Sequence, residues 1–168
     1  MNLLLNCKHE YSEGISTASH SYQAALLASR AGASRVVVLA SLFHDIGHMF
    51  AEDDTGGCGA ADHSSASASV LRHFGFEDAV CTLVQEHANA KRYLVSIDRG
   101  YAERLSPASR VTLAAQGGPM GCEERARFEN HPLFSEILAL RRFDDAAKRV
   151  LPEPTRAEML SLLRPSKL

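Results

Sequence analysis

One stretch of the chain decides the fold: Val36-Val-Val-Leu-Ala-Ser-Leu-Phe-His-Asp-Ile-Gly-His48. Its apolar first half has the composition of either a buried strand or a buried helix, and its length favours the helix. On a helix, His44 and His48 lie one turn apart on one face, with Asp45 about 100° from His44. We therefore expect a helix over residues 35 to about 50 that presents three polar groups to one pocket.

Around this stretch, apolar residues recur every three or four positions, and no long segment alternates as a half-buried strand would. This pattern predicts an all-α fold. Glycine- and acid-rich residues 52–59 predict a loop. From capping residues, glycines and prolines, the expected helices cover about residues 17–30, 35–50, 62–74, 77–89, 96–104, 107–115, 131–150 and 155–164.

The composition fits one globular unit. The chain has 168 residues, of which 45% are hydrophobic, and we expect a single domain over 1–168 with its core at about 11–150. Lys plus Arg number 18 and Asp plus Glu number 20, so the overall charge gives no general attraction for nucleic acid or an anionic membrane. We expect a cytoplasmic protein that binds neither, because no signal-like or membrane-spanning stretch is visible. Four scattered cysteines predict free thiols.

Histidine is the residue that points to a site, with eight in the chain. His20, His63 and His87 each align with apolar residues on a different predicted helix, where an unpartnered polar group is costly. A single histidine in such a place is more often a satisfied core residue. Three of them, together with His44-Asp45, are more simply explained by a shared metal site.

The last candidate ligand is a carboxylate near the C-terminus. Asp144 continues the apolar face of its predicted helix, whereas Asp145 projects toward the polar side. The full set exceeds what one tetrahedral ion needs, and two ions sharing Asp45 would use all of it and keep open positions for a substrate. The predicted ligands are His20, His44, Asp45, His63, His87 and Asp144.

In this order the ligands resemble those of the dinuclear branch of the HD-domain superfamily, and several segments resemble its phosphonate-degrading oxygenases, relatives of myo-inositol oxygenase. The resemblance spans about residues 11–148 and implies an HD-type helical bundle with a mixed-valent Fe(II)/Fe(III) pair. It implies use of O2 to cleave the carbon–phosphorus bond of a small 1-hydroxyalkylphosphonate, releasing inorganic phosphate and a carboxylic acid. The segments are His44-Asp-Ile-Gly-His48, Glu86-His-x-x-x-Lys91, Leu105-Ser-Pro-Ala-Ser109, Gln116-Gly-Gly-Pro-Met120 and Arg141-Arg-Phe-Asp-Asp-Ala-Ala-Lys148.

The resemblance also implies a role for each ligand. One iron would take His20, His44, Asp45 and Asp144, and the other would take Asp45, His63 and His87.

For the substrate, the resemblance implies that His48, Lys91, Ser109 and Arg141 hold the phosphonate oxygens, and Thr112 is a further hydroxyl candidate. Helical spacing agrees, since each cation lies one turn from a predicted ligand. The alternatives are a hydrogen bond from His48 to Asp45, a helix-end charge at Lys91 and a surface ion pair at Arg141.

Tyr11 and Glu13 precede the first ligand helix, where the resemblance implies a catalytic pair that guards the iron and responds to substrate. Glu10 competes with Glu13 for this place, which leaves open which carboxylate faces the pocket.

Two other functions use the same ligands. A metal-dependent HD phosphohydrolase acting on a nucleotide or other phosphate ester would need the same ions, and the Ser109, Gln116 and Arg141 segments favour the oxygenase over it. A non-catalytic, metal-stabilised binding module is disfavoured by six ligands beside a cationic pocket. The sequence leaves the substituent at C1 of the substrate and the oligomeric state open.

Overall fold

A computed structural model describes residues 10–11, 14–50 and 62–164, the first two by their backbone only. Within these residues a short antiparallel hairpin, β1 (Glu10–Tyr11) with β2 (Ile15–Ser16), is followed by nine α-helices, and the prediction of an all-α fold is confirmed. The helices are α1 (Thr17–Arg30), α2 (Arg35–Phe43), α3 (His63–His73), α4 (Asp78–Ile97), α5 (Arg99–Arg104), α6 (Pro107–Ala115), α7 (Cys122–Glu129), α8 (Phe134–Ala146) and α9 (Arg156–Ser161).

Local signals start the first two helices, and end the first one, where the sequence predicts. The Ser16 hydroxyl accepts the backbone N–H of Ser19 and caps α1, and Gly32 ends the connection with a φ of 69°, which favours glycine. Ser34 caps α2 in the same way. These caps fix where the first two helices begin, and therefore how far along each helix its metal-site residue lies.

The core lies between α4 and α8, which pack against each other and against α2. Apolar side chains of these helices, including Leu42, Leu83 and Ile137, are fully buried. Helix α1 packs against α2 and α8, and α3 packs against α4. Every helix that carries a predicted ligand is therefore held against at least one other ligand-bearing helix.

The predicted helix over residues 35 to about 50 is wrong in its last part. Helix α2 ends at Phe43, and a 3₁₀ helix over Ile46–Met49 follows. The reason is the close approach of Gly47 to α3, where its backbone N–H donates to the Ser67 hydroxyl at 2.7 Å. The tighter turn changes the geometry on which the spacing argument relied, yet it still directs His44 and Asp45 inward.

Other helix boundaries also differ from the prediction. Helix α4 does not end near 89 but continues to Ile97, because Lys91 and Tyr93 extend its buried face. Helix α7, which was not predicted, has Phe128 as its one buried residue and therefore shows little apolar periodicity. Helix α8 covers only part of the predicted range 131–150.

In the described part of the chain, no helix is long and apolar enough to cross a membrane.

Gly47→Ala is expected to destabilise the protein strongly. A Cβ at this position would lie 2.1 Å from the carbonyl oxygen of His63 and 2.7 Å from the backbone nitrogen of Ser67, and neither atom can move without shifting α3. We expect a loss of about 3 kcal/mol or more in the free energy of unfolding, measured by urea denaturation of metal-free protein.

Gly121→Ala is the matched control for this substitution. Its φ is −75°, and a Cβ there meets no atom of the described residues within 4 Å. A loss at Gly47 no larger than the loss at Gly121 would contradict the packing argument.

Candidate active site

Six buried side chains from five parts of the fold converge at the centre of the molecule. Each predicted ligand is brought there by a different helix, except that two adjacent residues come from the end of α2. They are His20 of α1, His44 and Asp45 after α2, His63 of α3, His87 of α4 and Asp144 of α8.

The six residues form two groups around Asp45. In the first group, Nε2 of His20 lies 3.2 Å from Nε2 of His44 and 3.2 Å from Oδ1 of Asp144. The Nε2 atom of His44 also lies 3.3 Å from Oδ2 of Asp45. These four atoms surround one point, at distances suited to ligands of one ion.

In the second group, the Nε2 atoms of His63 and His87 lie 3.0 Å apart, and each lies 3.5 Å from Oδ1 of Asp45. Asp45 thus directs one carboxylate oxygen to each group. This is the arrangement in which a carboxylate bridges two cations.

The hydrogen bonds made by the Nδ1 atoms, which point away from the cluster, show that the cluster suits cations. The Nδ1 atoms of His20, His44 and His87 lie 2.8, 2.9 and 2.6 Å from the backbone carbonyl oxygens of Ala147, Ser41 and Val84. A carbonyl oxygen only accepts, so each neutral ring places its proton on Nδ1 and its lone pair on Nε2. Lone pairs and carboxylate oxygens then face one another, which is unfavourable unless positive charge lies between them.

Ionisation of the cluster follows the same logic. Burial opposes ionisation of Asp45, but His44, His87, His63 and His48 together outweigh it and hold the pKa of this carboxyl well below its usual range. Burial alone would lower the pKa of His44, whereas Asp45 and Asp144 raise it to about 9. Without metal, a proton on His44 therefore supplies positive charge to this site.

A cavity of about 50 Å³ opens beside the cluster. One part of its lining, which we call the cationic end, is rich in basic and hydroxyl groups, and it includes most of the residues predicted to bind phosphonate. The residues of the cationic end are Lys91, Ser109, Thr112, Arg141 and Lys148.

Lys91 is a buried cation, not a helix-end charge. Its Nζ donates to the hydroxyl of Thr112 at 2.8 Å, and its residue is only 3% exposed. Burial, reinforced by nearby Arg141, lowers the pKa of Lys91 to about 7. An anion in the cavity would favour the charged form of this amine.

Arg141 is buried as well and is not a surface ion pair. Its Nη1 lies 2.7 Å from Oδ2 of Asp144, and its Nη2 donates to Oδ1 of Asp145. Burial opposes the charge of Arg141, but the two carboxylates keep the pKa of its guanidinium well above the ordinary value. The two oxygens of Asp144 are thus divided between the histidines and Arg141.

His48 lines the same cavity, next to His63 of the second group. Its Nε2 lies 4.0 Å from Oδ1 of Asp45, which is too long for a hydrogen bond, and its ring stacks on His63 at 4.2 Å. The side chain of Tyr11 and all of Glu13, which the sequence analysis predicted as a catalytic pair, lie outside the described residues.

Sequence reasoning missed Lys148, which is a cavity-lining cation. Its Nζ donates to the hydroxyls of Ser106 and Ser109 at 3.0 and 3.2 Å. The position lies four residues after Asp144, a spacing that could have drawn attention to it, but α8 ends at Ala146 and the helical argument stops there.

Comparison with known proteins identifies the family of this chain. Residues 17–115 match the model of the HD domain family. The chain belongs to the HD-domain superfamily. This HD-domain protein is 40% identical over 143 residues to a [1-hydroxy-2-(trimethylamino)ethyl]phosphonate dioxygenase (glycine-betaine-forming) of Leisingera caerulea, which covers 82% of this chain and 71% of the relative.

Two more relatives are similar. A hydroxymethylphosphonate dioxygenase of Gimesia maris is 38% identical over 142 residues, 82% of this chain and 70% of the relative. An uncharacterized protein of Acanthamoeba polyphaga mimivirus is 38% identical over 133 residues, 77% of this chain and 61% of that protein. The resemblance of this HD-domain protein to the phosphonate-oxygenase branch is confirmed.

Proposed function

We propose that this HD-domain protein is a diiron oxygenase that cleaves the carbon–phosphorus bond of a 1-hydroxyalkylphosphonate with O2. The reaction R–CH(OH)–PO₃H₂ + O₂ → R–COOH + H₃PO₄ is balanced, with C1 oxidised to a carboxyl group and both oxygen atoms of O2 reduced into the products. The observation that carries the proposal is Asp45 between two histidine groups, beside a cavity that is also lined by buried cations.

Two iron ions, as a mixed-valent Fe(II)/Fe(III) pair, fit the donor set of nitrogens and carboxylates. One would be held by His20, His44, Asp45 and Asp144, and the other by Asp45, His63 and His87. When bound, the pair supplies Lewis acidity and the capacity to react with O2. The carbonyl bonds to Nδ1 keep the ligand rings oriented, as outer partners of metal-bound histidines generally do.

The cationic end would bind and orient the phosphonate. Lys91 and Lys148 donate to hydroxyl groups and have no carboxylate within salt-bridge distance among the described residues, so their charge is available to a dianion. Arg141 would add its remaining N–H groups, and Ser109 and Thr112 would add hydroxyls. The same donors would stabilise the phosphate as it departs.

His48 would complete the set by reaching the phosphonate from the metal side of the cavity. For Tyr11 and Glu13 we propose the guarding role that the resemblance implies. The backbone of Tyr11 pairs with Ile15, immediately before α1, which supports a position near the start of the ligand helix.

The proposal is tested by anaerobic purification, iron quantification and assay of several 1-hydroxyphosphonates for O2 uptake and phosphate release. We expect phosphate release and O2 consumption in about a one-to-one ratio, as the balanced reaction requires. Substrates with hydrogen, aminomethyl and trimethylammoniomethyl substituents at C1 would identify the preferred group. Phosphate release from phosphate esters without O2 would contradict the proposal and favour the phosphohydrolase.

Metal binding is expected to release a proton. The pKa of His44 is raised to about 9, so its ring is protonated at neutral pH in the metal-free chain, whereas a ligating imidazole is neutral. Below about pH 9, each unit of pH increase is therefore expected to strengthen metal binding by about tenfold through this ring.

Titration calorimetry with Mn(II), a redox-stable probe, measures the metal affinity and the number of protons released. The titrations are run at pH 6.5 and 7.5 in buffers of different ionisation enthalpy. His73→Ala, which removes an exposed histidine of α3, is the control and is expected to leave the proton count unchanged. Affinity that does not depend on pH would contradict the predicted protonation.

A further inference from the structure

We infer that Tyr101 and Asp145 form a clamp that fixes the orientation of Arg141, and that this clamp determines how tightly the cavity binds the phosphoryl group. Both are positioning residues, because neither lines the cavity beside the metal cluster. The inference rests on the proposed function in taking the cationic end as the phosphonate site.

The clamp is a closed ring of three hydrogen-bonded side chains. Nε of Arg141 donates to the Tyr101 hydroxyl oxygen at 3.0 Å and to Oδ2 of Asp145 at 3.2 Å. The Tyr101 hydroxyl in turn donates to the same Oδ2 atom at 2.7 Å, and Nη2 of Arg141 donates to Oδ1 of Asp145. The plane of the guanidinium is therefore fixed on the side facing away from the substrate.

The clamp determines whether Arg141 contacts one oxygen of Asp144 or both. A guanidinium prefers to bind both oxygens of a carboxylate, and Asp144 is the carboxylate of the six-residue cluster that Arg141 contacts. In the structure Arg141 takes only Oδ2 of Asp144, while Oδ1 faces His20 at 3.2 Å. Without Asp145, rotation toward Asp144 would draw the remaining N–H groups of Arg141 away from the cavity.

The position of the clamp explains why its effect must pass through Arg141. A second cavity of about 420 Å³ lies on its other side, lined by Tyr101, Asp145 and Lys148, among others. Arg141 and Lys148 line the cavity beside the metals, but Tyr101 and Asp145 do not. The clamp thus forms a wall between the two cavities, with only Arg141 presented to the substrate side.

Tyr101 also ties α5 to the site. Helix α5 has six residues, none of them fully buried, so apolar packing does little to fix its place. Its Tyr101 hydroxyl bonds to two side chains of α8. Loss of this hydroxyl would therefore loosen the clamp without removing any apolar contact.

The test uses Tyr101→Phe and Asp145→Asn in the iron-loaded protein. Inorganic phosphate, titrated calorimetrically, is the probe, and KM and kcat with the preferred 1-hydroxyphosphonate are measured beside it. We expect the Kd for phosphate and the KM to rise about tenfold, as loss of hydrogen bonds to a charged group allows, while kcat and iron content change less than about twofold.

Tyr93→Phe is the matched control. The Tyr93 hydroxyl donates to Oε1 of Glu129 at 2.9 Å, so this substitution removes a tyrosine–carboxylate hydrogen bond that lies away from the cavity. We expect a comparable change in thermal stability with no change in phosphate binding. If Tyr93→Phe weakens phosphate binding as much as Tyr101→Phe does, the clamp is overturned.

A double-mutant cycle separates positioning from a general structural effect. In an Arg141→Lys background there is no guanidinium for the clamp to orient. Adding Tyr101→Phe to this background is therefore expected to raise the Kd for phosphate no further. Additive losses would overturn the clamp while the proposed function stands. Failure of the wild-type protein to bind phosphate would overturn the anion site itself and the clamp with it.

Discussion

Asp45→Asn is expected to abolish the dinuclear site. Both oxygens of Asp45 are used, Oδ2 toward His44 and Oδ1 toward His63 and His87, and an amide offers one neutral oxygen in place of two charged ones. We expect iron content to fall to about one tenth and kcat/KM to fall by about 10³-fold or more, because every step of the chemistry depends on the metals.

The measurement is iron quantification of anaerobically purified protein, combined with O2 uptake. Asp78→Asn is the control, since it makes the same change at an exposed residue at the start of α4. Retention of two irons and of activity in the Asp45 variant would contradict the assignment of the bridge.

Lys91→Met is expected to weaken substrate binding by about 100-fold without destabilising the protein. The amine is buried, its pKa is lowered to about 7, and its bonded partner is the neutral hydroxyl of Thr112. Methionine has a similar volume and carries no charge, so the unliganded protein loses little. A bound dianion, in contrast, loses a desolvated cation, which is generally worth a few kcal/mol.

KM for the phosphonate, Kd for inorganic phosphate and the melting temperature together test this expectation. The free energy of unfolding is expected to stay equal or to rise, since the folded state no longer buries an amine whose charge is costly to remove from water. Arg110→Gln, at an exposed residue of α6, is the control. An unchanged KM in Lys91→Met would remove Lys91 from the substrate site.

Arg141→Leu provides a useful contrast to Lys91→Met. Arg141 pairs with Asp144 and Asp145, so its removal leaves two carboxylates without their partner, one of them fully within the metal cluster. The two cations of the cavity therefore differ in kind. Lys91 bonds only to a hydroxyl and is proposed to bind an anion, whereas Arg141 also pairs with the carboxylates of Asp144 and Asp145.

Much of the fold could be predicted because helix periodicity and capping are local. The caps Ser16 and Ser34 set the starts of α1 and α2 close to the predicted positions, and Gly32 forms the turn between the two helices. The break after Phe43 could not be predicted, because it arises from packing of Gly47 against α3, a contact between residues far apart in sequence. Helix α7 was missed because it buries only one apolar side chain.

The candidate site was predictable to a similar degree. Histidines on apolar helix faces indicate a site from sequence alone, since a buried polar group needs a partner. Lys148 lies beyond the end of α8, where helical spacing no longer applies, and its approach to Ser109 depends on how α6 packs. The pairing of Tyr101 with Asp145 joins residues 44 positions apart and has no local signal.

The number of irons held by each histidine group shows whether this protein has a dinuclear centre. Wild-type protein, His20→Ala and His63→Ala would be purified anaerobically and compared by iron quantification and Mössbauer spectroscopy. We expect about two irons per chain in two environments for the wild type, with each variant losing a different one. A single iron in the wild type that His63→Ala leaves in place would exclude a dinuclear centre.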